Sequence, residues 1–241
     1  MLLNLVVASG SLDPALLTDA AASQQVAIPF GFEMLAIAVA SASGVLSARA
    51  SRLDLVGSVA LGVICSLGGG IMRDMILQVG DVYILNHPNV LLLAIVVALL
   101  VFIFPQPIEK LDPVIEVLDI FAVGLFAVTG ADKSICYGFA PVISVMMGFF
   151  TGVGGGMIRD ICLARTPHIF KSSNLYAIAA ILGSVAYVLL VDTLGVYDVL
   201  AAGVGVGVTM VVRWASLHYH ITTPTDLDIR DIVSIFRTIK K

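Results

Sequence analysis

Long runs of apolar residues, separated by short polar segments, dominate the chain. Residues 90–104, for instance, are apolar at every position. A helix of about 20 such residues crosses the hydrocarbon core of a bilayer, whereas a membrane β-strand alternates apolar and polar positions. The runs therefore predict an all-α integral membrane protein. We expect seven transmembrane helices, at residues 29–48, 53–77, 88–105, 114–133, 139–164, 174–192 and 195–214.

Composition supports the same environment. Of the 241 residues, 59% are hydrophobic and 12% are charged, and the mean hydropathy is +1.04. A soluble domain carries about 25% charged residues, because its surface must be covered by groups that prefer water. This scarcity of charge excludes a water-soluble enzyme, a disordered chain and a nucleic-acid-binding protein. The expected surroundings are membrane lipids.

The positions of Lys and Arg predict the orientation, because cytoplasmic loops retain positive charge. Ten basic residues fall on one predicted side, against Lys133 alone on the other, while Arg73 and Arg159 lie within predicted helices. We expect the N-terminus outside and the C-terminus in the cytoplasm. The ten are Arg49, Arg52, Lys110, Arg165, Lys171, Arg213, Arg230, Arg237, Lys240 and Lys241.

The two ends of the chain differ in character from the apolar middle. Residues 1–28 lack Lys and Arg, and we expect them to form an extracytoplasmic segment. Residues 215–241 form a cytoplasmic tail, in which Thr225 is placed to cap a short amphipathic helix lying on the membrane surface. A merely solvated tail is an equally open alternative. The apolar positions at helical spacing are Ile229, Ile232, Val233 and Phe236.

An internal repeat gives the strongest indication of architecture. Residues 65–77 read CSLGGGIMRDMIL and residues 151–163 read TGVGGGMIRDICL, an offset of 86 that also holds upstream, with 12 identities in 45 positions. Each copy contains three predicted spans, an odd number, so the second copy enters the membrane inverted relative to the first. The predicted organisation is a first repeat at 29–113, an inverted repeat at 114–194 and a seventh helix at 195–214.

The paired GGGxxRD motifs, at 68–74 and 154–160, resemble those of the bacterial branch of the trimeric intracellular cation (TRIC) channels, which includes UPF0126-type membrane proteins. The resemblance implies a homotrimer in a bacterial inner membrane, without cofactors. It also implies one pathway per protomer for monovalent cations, chiefly K⁺ and also Na⁺, with the second and fifth helices bent at their glycines. Some bacterial relatives are thought to move glycine, so a secondary transporter of a small solute stays an alternative.

Glycine triplets in a membrane helix permit two interpretations. They leave backbone carbonyls unshielded, and a bent helix with free carbonyls coordinates Na⁺ or K⁺. They also allow close helix packing, as in other small-residue series. Because each triplet precedes an Arg-Asp pair, we favour a bend that lines the pathway. The six glycines are Gly68, Gly69, Gly70, Gly154, Gly155 and Gly156.

Arg73 and Arg159 each cost at least about 2.5–3.5 kcal/mol near the membrane centre unless partners neutralise them. Counting 1.5 Å of rise per residue places Glu33 at the depth of Arg73 and Asp119 at the depth of Arg159. We therefore predict two ion pairs that flank the midplane and act as gates. Charges that extend to the lipid head groups are the alternative.

Two further pairs of residues follow the repeat. Asp74 and Asp160 adjoin the arginines in sequence, but neighbouring side chains point about 100° apart on a helix, so we expect them to be poor partners for those arginines. Ser43 and Thr129 lie near mid-membrane, where their hydroxyls either line the pathway or bond back to their own helices. We expect no catalytic set, no metal site and no cofactor.

Overall fold

The computed structural model describes residues 28–79, 82–104, 111–170 and 175–219, and regular structure within these ranges is helical throughout. The predicted N-terminal segment up to residue 27 and the predicted surface helix of the tail lie outside them. Three short turns accompany the main helices: an α-helical turn at Tyr83–Asn86, a 3-10 turn at His168–Phe170 and a π-helical turn at Leu189–Thr193. The main helices are α1 Phe30–Ala50, α2 Leu55–Leu77, α3 Pro88–Ile103, α4 Leu111–Cys136, α5 Pro141–Cys162, α6 Tyr176–Val188 and α7 Asp198–His218.

Local chemistry fixes where several helices begin. The Asp54 side chain accepts a hydrogen bond of 2.7 Å from the Gly57 amide and caps α2. Pro88 and Pro141 open α3 and α5, at a position where the missing N–H group has no helical partner to lose. The helix starts therefore follow from the cap residues and prolines in the sequence.

Two basic residues were assigned wrongly from the sequence. Arg213, counted with the cytoplasmic tail, lies inside α7 and is 3% exposed, because its side chain turns into the bundle. Lys133, counted as an external loop residue, lies inside α4 and is 5% exposed. Lys133 binds the Asp74 carboxylate at 2.6 Å, whereas Arg213 stacks on the Tyr176 ring and lies 3.7 Å from Glu116.

Six helices in the described ranges are long and apolar enough to cross a membrane. They correspond to six of the seven predicted spans. One of them is α6 together with its π-helical turn, Tyr176–Thr193, which has 18 residues, whereas the remaining helix, α3, is apolar but has only 16 residues. At 1.5 Å per residue it extends about 24 Å, against about 30 Å for the hydrocarbon core.

The helices pack as two similar groups of three. Helices α1, α2 and α3 contact one another, and so do α4, α5 and α6. The groups meet through equivalent helices, α1 against α4 and α2 against α5, while α7 packs on α4 and α6. Equivalent helices that contact each other are what a pseudo-two-fold relation between the two repeats produces.

The crossing of α2 and α5 is a close approach of two helix backbones. A β-carbon on Gly69 would meet the Thr151 carbonyl oxygen, and one on Gly155 would meet the Cys65 carbonyl oxygen. Thr151 is the repeat equivalent of Cys65, and Gly155 of Gly69, so the two contacts are reciprocal. Both helices continue unbroken through their triplets. Close packing accounts for the middle glycines, and a bend at the triplets stays a prediction.

The distribution of polar and apolar side chains between surface and interior differs from that of a soluble protein. Val56, Ile103 and Val142 are at least 70% exposed, whereas polar side chains such as Ser41, Ser58 and Arg73 are at most 2% exposed. Buried polar groups beneath a largely apolar surface suit a surrounding medium that is itself apolar. Together with the six apolar spans, this distribution identifies a multi-pass membrane protein.

Replacing Gly69 by alanine should destabilise the bundle, because the added methyl group forces α2 away from the α5 backbone. Overpacking of this kind costs about 1–3 kcal/mol, which lowers the apparent melting temperature of the purified protein by a few degrees. Gly70→Ala is the matched control, since its β-carbon has no neighbour closer than the Arg73 side chain at 4.0 Å. Equal melting temperatures for the two variants would contradict the crossing described above.

Candidate functional site: two buried charge clusters

The first cluster joins α1, α2 and α4 near one end of the bundle. Arg73 Nη1 lies 3.3 Å from Glu33 Oε1, and Arg73 Nε lies 2.8 Å from Asp74 Oδ1. Lys133 Nζ donates to the same Asp74 oxygen at 2.6 Å. Arg73 and Lys133 are almost fully buried, so these contacts replace the water that both cations have lost.

The second cluster is its repeat equivalent at the other end. Arg159 Nη1 lies 2.7 Å from Asp119 Oδ1, and Arg159 Nε donates to Asp160 Oδ1 at 3.0 Å. Arg159 Nη1 also donates to the Ser43 hydroxyl at 3.3 Å, which ties α5 to α1. The structure therefore contains both of the predicted contacts, Arg73 with Glu33 and Arg159 with Asp119. Their action as gates stays a prediction.

The expectation that Asp74 and Asp160 are poor partners for the neighbouring arginines is wrong. In both clusters the aspartate binds the arginine directly before it in sequence. The arginine side chain is long enough to turn back, so that Nε faces the neighbouring carboxylate while the terminal nitrogens reach across to another helix. The angle between neighbouring residues on a helix prevents contact between short side chains more effectively than it prevents contact with an arginine.

Each aspartate also fixes the segment that follows its helix. Asp74 Oδ2 accepts the Tyr83 amide at 2.8 Å, and Asp160 Oδ2 accepts the His168 amide at 3.1 Å. A change at either arginine therefore reaches the connection to the next helix through the aspartate that binds both. At the first of these connections, burial and the Glu33 carboxylate raise the pKa of the Tyr83 phenol, so this group stays neutral.

Lys133 makes the two clusters unequal. Its repeat equivalent is Ser47, which carries no charge. Two cations and two carboxylates leave the first cluster formally neutral, whereas one cation and two carboxylates leave the second with a net charge of −1. An excess negative charge in a weakly polar interior attracts cations more strongly than the same charge in water.

Among the cavities bordered by described residues, three lie in sequence, because the two small ones share Phe126 and the second shares Asp119 with the third. A cavity of about 20 Å³ lies beside Glu33 and Arg73, and one of about 10 Å³ lies beside Cys65 and Asp119. A third, of about 450 Å³, extends outward from Asp119 and Arg159. The two small cavities each have room for about one water molecule, so the path is narrow beside the first cluster and wide beside the second.

Phe126 borders both of the small cavities and is 4% exposed. Its repeat equivalent is Ala40, which also lines the cavity beside Cys65. An aromatic ring therefore occupies one half of the pseudo-symmetric core where the other half has only a methyl group.

Some glycines and hydroxyls of the predicted pathway lie beside a cavity or a charge cluster, and the others make contacts between or within helices. Gly70 lines the cavity beside the first cluster, and Gly156 lines the one beside Asp119. Ser43 contacts Arg159, whereas Thr129 donates to the Phe126 carbonyl oxygen of its own helix at 3.3 Å. The remaining members of the triplets, namely Gly68, Gly69, Gly154 and Gly155, make close interhelical contacts, and Gly155 also borders a cavity.

Sequence reasoning missed Lys133 and Phe126 as site residues. The signal for both lay in the internal alignment, where lysine stands opposite Ser47 and phenylalanine opposite Ala40. Differences between the repeats mark the places where the two halves of the site have diverged. The identities, on which the sequence argument rested, mark only what the two halves share.

A family described as Glycine transporter matches the chain twice, at residues 30–106 and 116–192. The two matches begin 86 residues apart, the same offset as the internal repeat. The UPF0126 inner membrane protein YadS of Escherichia coli (strain K12) is 34% identical over 197 residues, covering 81% of this chain and 95% of YadS. A UPF0126 membrane protein of Vibrio cholerae is 30% identical, covering 80% of each chain.

Solved structures with the same fold are TRIC channels. The TRIC trimeric intracellular cation channel orthologue from Rhodobacter sphaeroides has a TM-score of 0.72 and 32% identity, covering 79% of this chain and 97% of that one. A chain from a study of conductance through TRIC cation channels has a TM-score of 0.73 and 28% identity, covering 83% and 98%. The predicted resemblance is confirmed: the chain belongs to the TRIC/UPF0126 membrane protein family, the one described as Glycine transporter.

Proposed function

We propose that this protein is a homotrimeric channel for monovalent cations, K⁺ and also Na⁺, with one pathway through each protomer. The observation that carries the proposal is the second cluster, whose Asp119 and Asp160 carboxylates line the cavity of about 450 Å³. Solved relatives described as trimeric cation channels support both the activity and the assembly.

The pathway we propose runs from the wide cavity past Asp119 and Gly156, then past Phe126, to Gly70 and Glu33. It follows the order of the three cavities. Carbonyl oxygens of the glycine triplets, and the Ser43 and Thr129 hydroxyls, would replace water around a dehydrated cation when α2 and α5 bend. Bending of α2 and α5 would widen the section of the pathway at the two small cavities enough for the cation to pass.

The first cluster and Phe126 form the gate in this proposal. Arg73 stands in the path and is held by Glu33 and by Asp74, which Lys133 also binds. Separating Arg73 from Glu33 would move its charge aside and expose carboxylate oxygens to the ion. Arg159 would act in the same way at the opposite end.

The orientation and organisation belong to the same proposal. Four of the 13 Lys and Arg residues lie buried in helices, namely Arg73, Lys133, Arg159 and Arg213, and the other nine all fall on the predicted cytoplasmic side. We place the N-terminus outside and the wide cavity toward the cytoplasm, in a bacterial inner membrane. Helix α3 then completes the set of seven spans. The proposed units are the extracytoplasmic segment 1–28, the first repeat 29–113, the inverted repeat 114–194, the last transmembrane helix 195–214 and the cytoplasmic tail 215–241.

A secondary transporter of glycine is the second candidate. Two observations favour it: the family description, and a cavity that is wide at one end and closed at the other. A carrier opens its two ends alternately, whereas a channel opens both together. The wide cavity would then be the inward-facing substrate chamber of the carrier.

Reconstitution into planar bilayers separates the two functions. The channel proposal expects unitary current steps in symmetric KCl and a reversal potential near that of K⁺ in a KCl gradient. Saturable glycine uptake into proteoliposomes, without current steps, would replace it with the carrier. Empty liposomes and protein unfolded before reconstitution serve as controls.

Replacing Phe126 by alanine should raise K⁺ flux several-fold, because it joins the two small cavities and makes this position equivalent to Ala40. The reverse change, Ala40→Phe, should lower the flux by filling the same space from the other repeat. Both are measured as dye-reported K⁺ flux into proteoliposomes, after size-exclusion chromatography shows an unchanged assembly. An unchanged flux in both variants would remove Phe126 from the pathway.

Replacing Arg73 by glutamine should raise the open probability or the unitary conductance, because the first cluster then gains the net negative charge of the second. Arg52→Gln is the matched control, since Arg52 is exposed in the loop between α1 and α2. Single-channel recordings across a range of voltages give both quantities. Conductance and gating identical to the unchanged protein would rule out Arg73 as a gate.

A further inference from the structure

An exposed arginine in the loop after α5 forms part of the wall of the wide cavity. Arg165 lines the cavity of about 450 Å³, and its side chain reaches across to the first repeat. Arg165 Nη2 donates to the Ser51 hydroxyl at 2.9 Å, and Ser51 is the residue at which α1 ends. One hydrogen bond between the repeats therefore holds a positive charge at this wall.

Arg165 follows the turn that ends α5. Ala164 has a φ of 52°, in the left-handed region that few residues other than glycine adopt, and the Arg165 amide donates to the Asp160 carbonyl oxygen at 2.9 Å. In the first repeat the equivalent of Ala164 is Gln78, which has a φ of 50°. The next residue differs, since the first repeat has Val79 where the second has Arg165. The charge is therefore a further difference between repeats that share the same backbone conformation at this point.

Arg165 differs from the other two arginines of the wall in its exposure and in its partner. Arg159 and Arg213 are 3% exposed, and their guanidinium nitrogens lie 2.7 Å and 3.7 Å from carboxylate oxygens. The Arg165 side chain is exposed and binds a neutral hydroxyl, and it forms no ion pair with a carboxylate of the described ranges. The three arginines are balanced by three carboxylates, namely Glu116, Asp119 and Asp160.

The formal charge of the wall depends on this exposed side chain. Without Arg165, two arginines would face three carboxylates, which leaves a net charge of −1 when His168 is neutral. A cleft lined by negative charge raises the local concentration of cations, and salt screens the effect. The screening length is about 30 Å at 0.01 M salt and about 3 Å at 1 M. The cation concentration in the cavity therefore depends on Arg165 in dilute salt and becomes independent of it in concentrated salt.

We propose that Arg165, held in place by Ser51, limits the entry of monovalent cations through the wide end of the pathway. The inference rests on the proposed function, in which cations enter the pathway through this cavity. Arg165 lowers the cation concentration at that end, and the same charge weakens the preference for K⁺ over Cl⁻. Ser51 acts as a positioning residue, because its hydroxyl fixes the guanidinium group at the wall.

The test compares unitary K⁺ currents of the complete protein in planar bilayers, in dilute and in concentrated KCl. Arg165→Gln should raise the unitary conductance roughly two-fold at about 0.02 M KCl and leave it unchanged at about 1 M, where salt screens the charge. The increase should be larger for current that enters through the wide end, so the current–voltage relation becomes asymmetric. Arg165→Lys keeps the charge and should behave like the unchanged protein.

Two further variants separate the charge at the wall from other effects. Arg52→Gln removes a charge from the loop between α1 and α2, outside the wall of the cavity, and should change the conductance less than Arg165→Gln does. Ser51→Ala removes no charge but releases the guanidinium group from the wall. It should therefore give a smaller increase than Arg165→Gln, with the same dependence on salt.

Arg165 is exposed, so its substitution should leave the assembly intact, which size-exclusion chromatography checks before each recording. An unchanged conductance of Arg165→Gln in dilute KCl, an increase that persists in concentrated KCl, or an equal increase in Arg52→Gln or Arg165→Lys would overturn the inference and leave the channel proposal standing. An unchanged conductance of Ser51→Ala would reject Ser51 as the positioning residue. Absence of unitary currents from the unchanged protein would overturn both proposals.

Discussion

Two guanidinium groups enclosed in a bundle with an apolar exterior impose the main constraint on this structure. A charge in such surroundings persists only where carboxylates reach it, and each arginine draws one from its own helix and one from the helix before it. This requirement fixes α1 against α2 and α4 against α5 at a defined depth. It also fixes the segments after α2 and α5, because the same aspartates accept the backbone amides of Tyr83 and His168.

Departures from symmetry distinguish the two ends of the molecule. The shared frame consists of an arginine, two carboxylates and a glycine triplet in each repeat. Lys133 neutralises one end, and Phe126 fills the core next to it, while their counterparts Ser47 and Ala40 leave the other end charged and open. Two repeats with the same fold therefore form one narrow end and one accessible end, because a few of their equivalent residues differ.

Most of the frame could be predicted from the sequence, because apolar length and an internal repeat are strong signals. The seven helices, the offset of 86 and the partners of Arg73 and Arg159 across helices all follow from counting residues. The contacts of Asp74 and Asp160 with adjacent arginines could not, since they depend on how a long side chain folds back. The burial of Lys133 and Arg213 was missed because charge patterns do not reveal whether a basic residue at a helix end faces water or a carboxylate inside the bundle.

The contact between α2 and α5 is made of backbone on both sides. Gly69 and Gly155 each face a carbonyl oxygen of the other helix, while the Ile158 and Met72 side chains pack against the adjacent Gly68 and Gly154. Helices joined by interlocking side chains can rotate against each other only after those side chains withdraw. At Gly69 and Gly155 the contact has no such side chains, and it lies where the two repeats meet. Any tilt of one repeat against the other would therefore strain two bonds that cross the same interface, Lys133 to Asp74 and Arg159 to Ser43.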